Sequence, residues 1–449
     1  MKSITLKPAL LGLIISSSVA SVAAPVFPSP GNSRTSSHVT HVIEVKAKTA
    51  AERSRIVDLG FAIDELRSDA VYIFGKARDA DTLRRAGFRA TATPAKSEWF
   101  TIPQAVEAMA ARFTSLTEVE TQLQDLATRF PNIVEVQTLG RTNENRVTKM
   151  VRISGKSPAQ AEAAKLPVIF YMGCHHAREH LSVEVPLRFA KHLVENYGRD
   201  ADVTRLVDSR EIYIAPIINP DGHAYDYTNG IRGRMWRKNR RRNNDGTYGV
   251  DLNRNYGYQW NTGGSSSTPS SDVYMGTAPF SEPESQNVRD FVNSQPRMTT
   301  LLSLHTFSEL ILYPWGWSND SIGQNGRGNP ADLPVFEKMA RDMAQWNKYK
   351  PQQSSDLYIA SGDTTDWAYG EHGIFAFTFE LSPTSMWDGG FYPSPARIEP
   401  VFEANLKPLM YLLEFSDNPR RVLTQRAPSF LTSPAKRGVA AASFSDVQF

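Results

Sequence analysis

Apolar runs alternate with amphipathic stretches along most of the chain. Leu166-Pro167-Val168-Ile169-Phe170-Tyr171-Met172 is an unbroken apolar run of strand length, and Leu181 to Asn196 beyond it has helical spacing. Leu116 to Arg129 is another amphipathic helix, stopped by Pro131-Asn132. Ile133 to Val136 and Val147 to Ile153 read as strands, as does Glu211 to Ile218, closed by the turn sequence Asn219-Pro220-Asp221-Gly222. Ser281-Glu282-Pro283-Glu284 has the S-x-x-E form of a capping box and predicts a helix through Asn293. Thr299 to Phe307 and Ile374 to Phe379 complete the apolar strands. Strands alternating with helices in this way predict an α/β fold, a mixed and mostly parallel twisted sheet with helices on both faces.

The ends of the chain are patterned differently. Residues 1–23 carry Lys2 and Lys7, then the apolar stretch Ala9 to Ile15, then small residues to Ala23, as a secretory signal does. That stretch is too short to span a membrane, so no membrane association is expected. Residues 25–37 are rich in Pro, Ser and Gly and read as a linker. From His38 to about Ala95 a small α+β unit is expected, with strands over His41 to Val45 and Ala70 to Phe74 and helices over Ala50 to Val57 and Asp79 to Ala86. The predicted division is therefore a signal over 1–23, linker and small unit over 24–98, a large domain over 99–416 and an extension over 417–449. The extension, with Pro428, Ser429, Pro434 and Lys436-Arg437, reads as trimmed or loosely packed.

Composition narrows the function. With 449 residues the chain is long enough for a large core and an accessory unit, and a net charge of +3 argues against dedicated nucleic-acid binding. The single cysteine, Cys174, excludes an internal disulfide, so an exported chain must fold without one. It precedes His176 by two and is expected on the strand, buried as a free thiol.

Candidate chemistry begins where the first apolar run ends, at Cys174-His175-His176-Ala177-Arg178-Glu179. His176 and Glu179 are three apart, so one helical turn would put imidazole and carboxylate on one face as half of a divalent-metal site, most naturally zinc. H-x-x-E alone is a weak signal, since an ordinary solvated pair has the same spacing. Histidines are scarce, nine in the chain, and His305 sits at the end of the strand Thr299 to Phe307. A core histidine is the plain alternative, but the carboxyl end of a strand is where open α/β sheets place their sites.

Taken together, several motifs resemble the zinc metallocarboxypeptidases of the funnelin type, the carboxypeptidase A/B family, and most of all the secreted bacterial carboxypeptidase T group. His-Ala-Arg-Glu, Trp236-Arg237-Lys238, Val250-Asp251-Leu252-Asn253-Arg254, Leu304-His305-Thr306 and Phe377-Thr378-Phe379-Glu380 occur in the family's order, between about residues 105 and 415. The resemblance implies zinc on His176, Glu179 and His305, with Asp251 accepting the second ring proton of His176. It puts Arg237 at the oxyanion that forms when water attacks a peptide carbonyl, a role for a donor already aimed. The other arginines between Arg232 and Arg242 are then surface charge. Asn253 and Arg254 would grip the substrate's terminal carboxylate, which a guanidinium fork does better than lysine. Glu380, a carboxylate at the end of an apolar strand, would be the general base toward a zinc-activated water and return the proton to the leaving amine. Tyr358 resembles the mobile tyrosine that closes over the substrate, and Arg178 would touch the substrate further from the cut.

Specificity should follow from the segment before Asp366-Trp367. Thr365, at the decisive position, is neither apolar nor acidic, and Asp363 adds a charge two residues earlier. A mixed preference is expected, with apolar and aromatic ends favoured and basic ends accepted. The small N-terminal unit occupies the place of a propeptide that covers the active site until a protease removes it, and cleavage is expected over Thr91 to Ser97 near Lys96. The reading is thus a secreted, monomeric zinc exopeptidase made as a zymogen, acting on peptides with a free C-terminal carboxylate. The similar bacterial enzymes also hold calcium, whose ligands the sequence does not place. A peptidoglycan stem-peptide peptidase of the same superfamily is the alternative, disfavoured by Asn253 and Arg254. A catalytically dead binding protein would be expected to lack Glu380 or a ligand.

Overall fold

The structure, a computed structural model, describes residues 40–96, 112–227 and 233–432. The expected signal and linker lie outside these residues, as do Ser97, Arg232 and the end of the extension.

The small N-terminal unit is a four-stranded antiparallel sheet in the order β2-β3-β1-β4. Its elements are β1 (His41–Lys46), α1 (Ala50–Asp58), β2 (Glu65–Leu66), β3 (Ala70–Gly75), α2 (Ala77–Arg85) and β4 (Ala90–Pro94). Thr49 and Glu52 form a reciprocal capping box that starts α1. Ile43, Val45, Ile56, Val71, Ile73 and Leu83 make its core. The expected cleavage segment differs from the structure at its start, since Ala90 to Pro94 pair with β1. Alternating small and β-branched residues let this polar stretch complete the sheet edge, and paired backbone is a poor protease substrate.

The large domain follows as α3 (Leu116–Arg129), β5 (Val134–Arg141), β6 (Val147–Ile153), α4 (Pro158–Ala163), β7 (Val168–Gly173), α5 (Leu181–Asn196), α6 (Ala201–Ser209), β8 (Glu211–Ala215) and α7 (Pro220–Asp226). Beyond the largely irregular residues 233–282 come α8 (Pro283–Asn293), β9 (Met298–Thr306), β10 (Leu310–Tyr313), α9 (Leu333–Asn347), β11 (Lys350–Gln353), α10 (Thr364–His372), β12 (Phe375–Leu381), α11 (Ile398–Phe415) and α12 (Ser429–Thr432). The strands form one eight-stranded mixed sheet in the order β11-β10-β12-β9-β7-β8-β6-β5. β8, β7, β9 and β12 run parallel at its centre, and β7 and β8 are buried at every position, as strands covered on both faces must be.

Side-chain alternation assigns the faces. Ile169, Tyr171, Leu302, Leu304, Phe377 and Phe379 join one core with residues of α5, α9 and α11, while Phe170, Met172, Leu301 and Ala376 join another with α8 and α10. Helices therefore cover both faces, as the sequence pattern predicts.

Four local expectations are corrected. β7 stops at Gly173, so Cys174 is off the strand, with φ 54°, although it is a buried free thiol. His176 to Glu179 is a turn ahead of α5 rather than part of a helix. Ser281 does not cap α8: Glu282 is the N-cap residue, and the Ser281 hydroxyl bonds to the Glu282 carboxylate and to Asn255 instead. The extension packs firmly as far as residue 432, with Val422 and Leu431 buried and Arg420 paired to Asp332.

Candidate metal and active site

The site forms at the carboxyl ends of the parallel strands, where helices cannot close over the sheet. β7 delivers the 174–179 turn, β9 delivers His305, and β12 delivers Glu380, whose backbone is in register with His305. Two strand ends and one turn thus bring residues distant in sequence together.

His176 Nδ1 lies 2.7 Å from Glu179 Oε1 and 3.1 Å from His305 Nδ1, and His305 Nδ1 lies 2.9 Å from Glu179 Oε2. One donor atom from each residue falls within 4.8 Å of the other two, and all three residues are buried. Ligand atoms around a tetrahedral zinc with bonds of ~2.0–2.1 Å stand about 3.3 Å apart, so this donor set fits that ion closely. Second partners fix both rings: His176 Nε2 meets Asp251 Oδ1 at 3.0 Å and His305 Nε2 meets Ser303 Oγ at 3.0 Å. The Asp251 contact is the one the sequence assigns.

Electrostatics separates the two histidines: burial would lower His305, but Glu179 outweighs it and holds that ring above its ordinary value. Burial holds His176 below its ordinary value, which favours the neutral imidazole a metal needs. Burial would raise Glu179, but His176 and His305 outweigh it and hold the carboxyl low. Glu380 is pushed up to about 8 by burial, with Glu179 adding and His305 opposing. A divalent cation beside it would draw that value down.

Arg237 donates through Nε and Nη2 to Asp251 Oδ2 at 3.1 and 2.9 Å, and its Nη1 is 3.8 Å from Glu179 Oε1. Asn253 and Arg254 lie on a short helical turn over Leu252–Arg254, started by the Asp251 side chain. The Asn253 carbonyl oxygen accepts from the Thr364 N–H and hydroxyl, which turns its amide nitrogen away from them. Arg254 is anchored through Nε to Gly264 O and through Nη1 to Asn253 O. Asp363 is buried, and its Oδ1 caps α10 and accepts the Thr365 hydroxyl. Its second oxygen makes no hydrogen bond to the described residues.

The small unit lies against this site. Ile63, Asp64, Glu65 and Leu66 share with His176, Glu179, Arg237, Asn253, Arg254, Tyr358 and Glu380 the wall of a cavity of about 80 Å³. Arg178 Nη2 donates to Asp64 Oδ1 at 2.5 Å, with its guanidinium 4.2 Å over the Phe391 ring. Glu65 accepts from the Met386 N–H at 2.7 Å. Arg53 donates to the carbonyls of Leu357 and Asp356, and Ser54 accepts the Ile359 N–H at 2.9 Å, so α1 holds the loop bearing Tyr358.

All twelve residues singled out in the sequence are in this region; seven of them line the cavity, while Arg178, Asp251, His305, Asp363 and Thr365 lie behind its wall. The basic segment departs from expectation. Lys238 is buried and held by the carbonyls of Pro269 and Ser271, Arg240 stacks between Tyr225, Trp236 and Tyr248, and Arg241 pairs with Glu282. Aromatic faces and carbonyls take up these cations, which a charge count cannot show. Sequence reasoning also passed over Asp64, Glu65, Arg53 and Asp226, and read Asn219 only as a turn residue. Their only signal was a polar residue in an otherwise patterned stretch.

A buried His, Glu, His triad with a raised carboxyl beside it and an arginine fork at the same cavity defines a metal-dependent hydrolase. The zinc carboxypeptidase family profile matches residues 119–408. A zinc carboxypeptidase of Saccharothrix mutabilis subsp. capreolus is 32% identical over 399 residues, 85% of this chain and 90% of that protein. Carboxypeptidase B of Astacus astacus is 32% identical over 66% of this chain and 95% of its own. The crystal structure of carboxypeptidase A from Helicoverpa armigera superposes with a TM-score of 0.71 at 26% identity, covering 85% of this chain and 98% of that one. The chain belongs to the zinc carboxypeptidase family and is a metallocarboxypeptidase.

Proposed function

We propose that the protein is a secreted zinc exopeptidase, made as a zymogen, that removes single residues from peptide C-termini. The observation that carries this reading is that the cluster of His176, Glu179 and His305 donors adjoins a cavity that His176 and Glu179 line together with Glu380, Asn253 and Arg254. A zinc ion held by the triad would supply Lewis acidity, polarising the scissile carbonyl and lowering the pKa of a water. Arg254 and the amide nitrogen of Asn253, which has no hydrogen-bond partner among the described residues, bind the terminal carboxylate, which selects the last peptide bond. Glu380 takes the proton from the attacking water and hands it to the departing amine. Arg237 leaves Asp251 in part to meet the oxyanion, and Asp251 continues to orient His176. Tyr358 closes over the bound end.

The zymogen reading rests on the 63–66 segment. It leaves about 80 Å³ at the site, well below the ~300 Å³ or more of a pocket that admits a ligand. Asp64 also occupies Arg178, the residue assigned to the substrate upstream of the cut. Removal of residues 1 to about 98 would open the site, with the cut expected in the 97–111 segment rather than in β4. Mixed specificity is supported by the uncommitted oxygen of Asp363 beside the uncharged Thr365. The test is cleavage of the full chain by a protease, followed by mass spectrometry on peptides ending in Phe, Leu, Lys or Glu. Activity that appears only after cleavage, with Phe and Leu ahead of Lys and Glu poorest, is expected. Full activity in the uncleaved chain would overturn the zymogen reading, and Lys as the sole accepted end would overturn the pocket assignment.

A further inference from the structure

Arg237 is held from both sides by backbone contacts that its own side chain does not explain. The N–H of Trp236 donates to Asp226 Oδ1 at 2.8 Å, and the carbonyl of Lys238 accepts from Asn219 Nδ2 at 3.1 Å. The carbonyl of Arg237 itself accepts from the Ala177 N–H at 3.0 Å, tying it to the turn that carries the metal ligands. Asn219 and Asp226 are the N-cap and the last residue of α7.

Asp226 is fully buried, and its two oxygens are divided between two structures. Oδ1 accepts from the N–H groups of Arg234 and Trp236 and from the Tyr392 hydroxyl, at 3.0, 2.8 and 2.9 Å. Oδ2 accepts from the same hydroxyl at 2.8 Å and from His180 Nε2 at 2.9 Å. The intervening Met235 N–H donates to the Tyr392 oxygen at 2.8 Å. Successive N–H groups of residues 234, 235 and 236 therefore converge on one carboxylate and the phenol bound to it, the geometry of an anion nest. Met235 has φ 56° there, a left-handed conformation that a side-chain-bearing residue keeps where surrounding contacts over-determine it. A Cβ at Gly233 would come within 1.9 Å of the Tyr392 ring, so the ring packs directly on the Gly233 backbone.

We propose that Asp226, together with Tyr392, is a positioning residue for catalysis. Its carboxylate folds the 233–236 backbone around itself and so fixes where Arg237 reaches, without touching substrate. The proposal rests on Arg237 acting at the oxyanion. An arginine that acts mainly in the transition state gives its positioning residue a distinct signature: turnover falls while KM stays, because ground-state binding does not use it.

The test uses the full chain, loaded with zinc and cleaved in the 97–111 segment. Wild type, Asp226→Asn, Tyr392→Phe, Arg237→Ala and the Asp226→Asn/Arg237→Ala double variant are compared. The readouts are kcat and KM for a peptide free acid, affinity for a phosphonate peptide whose tetrahedral anion mimics the transition state, zinc content and Tm. Asp226→Asn is expected to lower kcat by about 10- to 100-fold with KM within about twofold, as a misplaced reacting group does. Phosphonate affinity should fall in step, with zinc content unchanged. Tyr392→Phe should fall in the same direction by less, and it decides the matter if Asp226→Asn does not fold. In the Arg237→Ala background, Asp226→Asn should add nothing. If Arg237→Ala alone keeps wild-type kcat, the role given to Arg237 fails. If Arg237→Ala cripples turnover while Asp226→Asn and Tyr392→Phe keep it, or raise KM instead, the positioning proposal is overturned.

Discussion

Replacing Asp64 with Asn should release the N-terminal unit from the large domain. Asp64 and Arg178 are 2% and 1% exposed at their side chains, so their ion pair is fully desolvated. Asparagine keeps an acceptor for the Phe74 N–H, which Asp64 Oδ2 takes at 2.7 Å, and removes only the charge facing Arg178. Nε and Nη1 of Arg178 have no hydrogen-bond partner among the described residues, so the charge lost is that guanidinium's main compensation. Breaking one side of a buried pair costs about 3–5 kcal/mol. At about 1.4 kcal/mol per decade this is a roughly 100- to 4,000-fold weaker grip of the unit on the site. Glu65 and Arg53 hold elsewhere, so the low end is expected. The assay nicks the chain in the 97–111 segment and measures by surface plasmon resonance how tightly the released unit binds the large domain, alongside peptidase activity. Wild-type affinity and wild-type inhibition in the variant would refute the reasoning.

Three further outcomes follow from the site and its surroundings. Glu380→Gln should lower kcat by about 100- to 10,000-fold, the range for a lost general base, while zinc content measured by atomic absorption stays at the wild-type level. Arg254→Lys should erode the preference for free acids over amides about 10- to 100-fold, read as kcat/KM on matched peptides, since a point charge does not replace the fork. Glu284 concerns stability. Burial pushes it up to about 8, helped by Glu282 and Asp221 and opposed by Asn239. A folded value above the unfolded one means that the folded state holds the extra proton. This contribution is full below about pH 4.5 and lost as pH rises through 8, on the order of a few kcal/mol. Urea melts should therefore show Glu284→Gln gaining on wild type between pH 5 and 9, and a pH-independent difference would contradict the assignment.

The sheet was legible because its central strands are continuous apolar runs that two layers of helices must cover, and the alternation of Phe377 and Phe379 against Ala376 divides its faces. The candidate site residues were picked out by motif order, and the register of Glu380 with His305 sets a polar residue near the end of each of two apolar strands. What was missed depends on tertiary context. Ser281 has the spacing of a capping residue, yet the Glu282 side chain and Asn255 claim it. Arg240 looks solvated in sequence and is only partly exposed because three aromatic rings from separate segments enclose it. Asp64 and Asp226 act through partners more than 100 and 160 residues away, Arg178 and Tyr392, and local pattern carries no trace of those contacts.

The most direct test incubates the cleaved, zinc-loaded protein with peptides that differ only in a terminal acid or amide, with and without a zinc chelator, and follows the products by mass spectrometry. Stepwise loss of single residues from the free acids alone, abolished by chelator and restored by zinc, is the expected result. Equal cutting of the amides, internal cuts, or activity that survives the chelator would contradict the account.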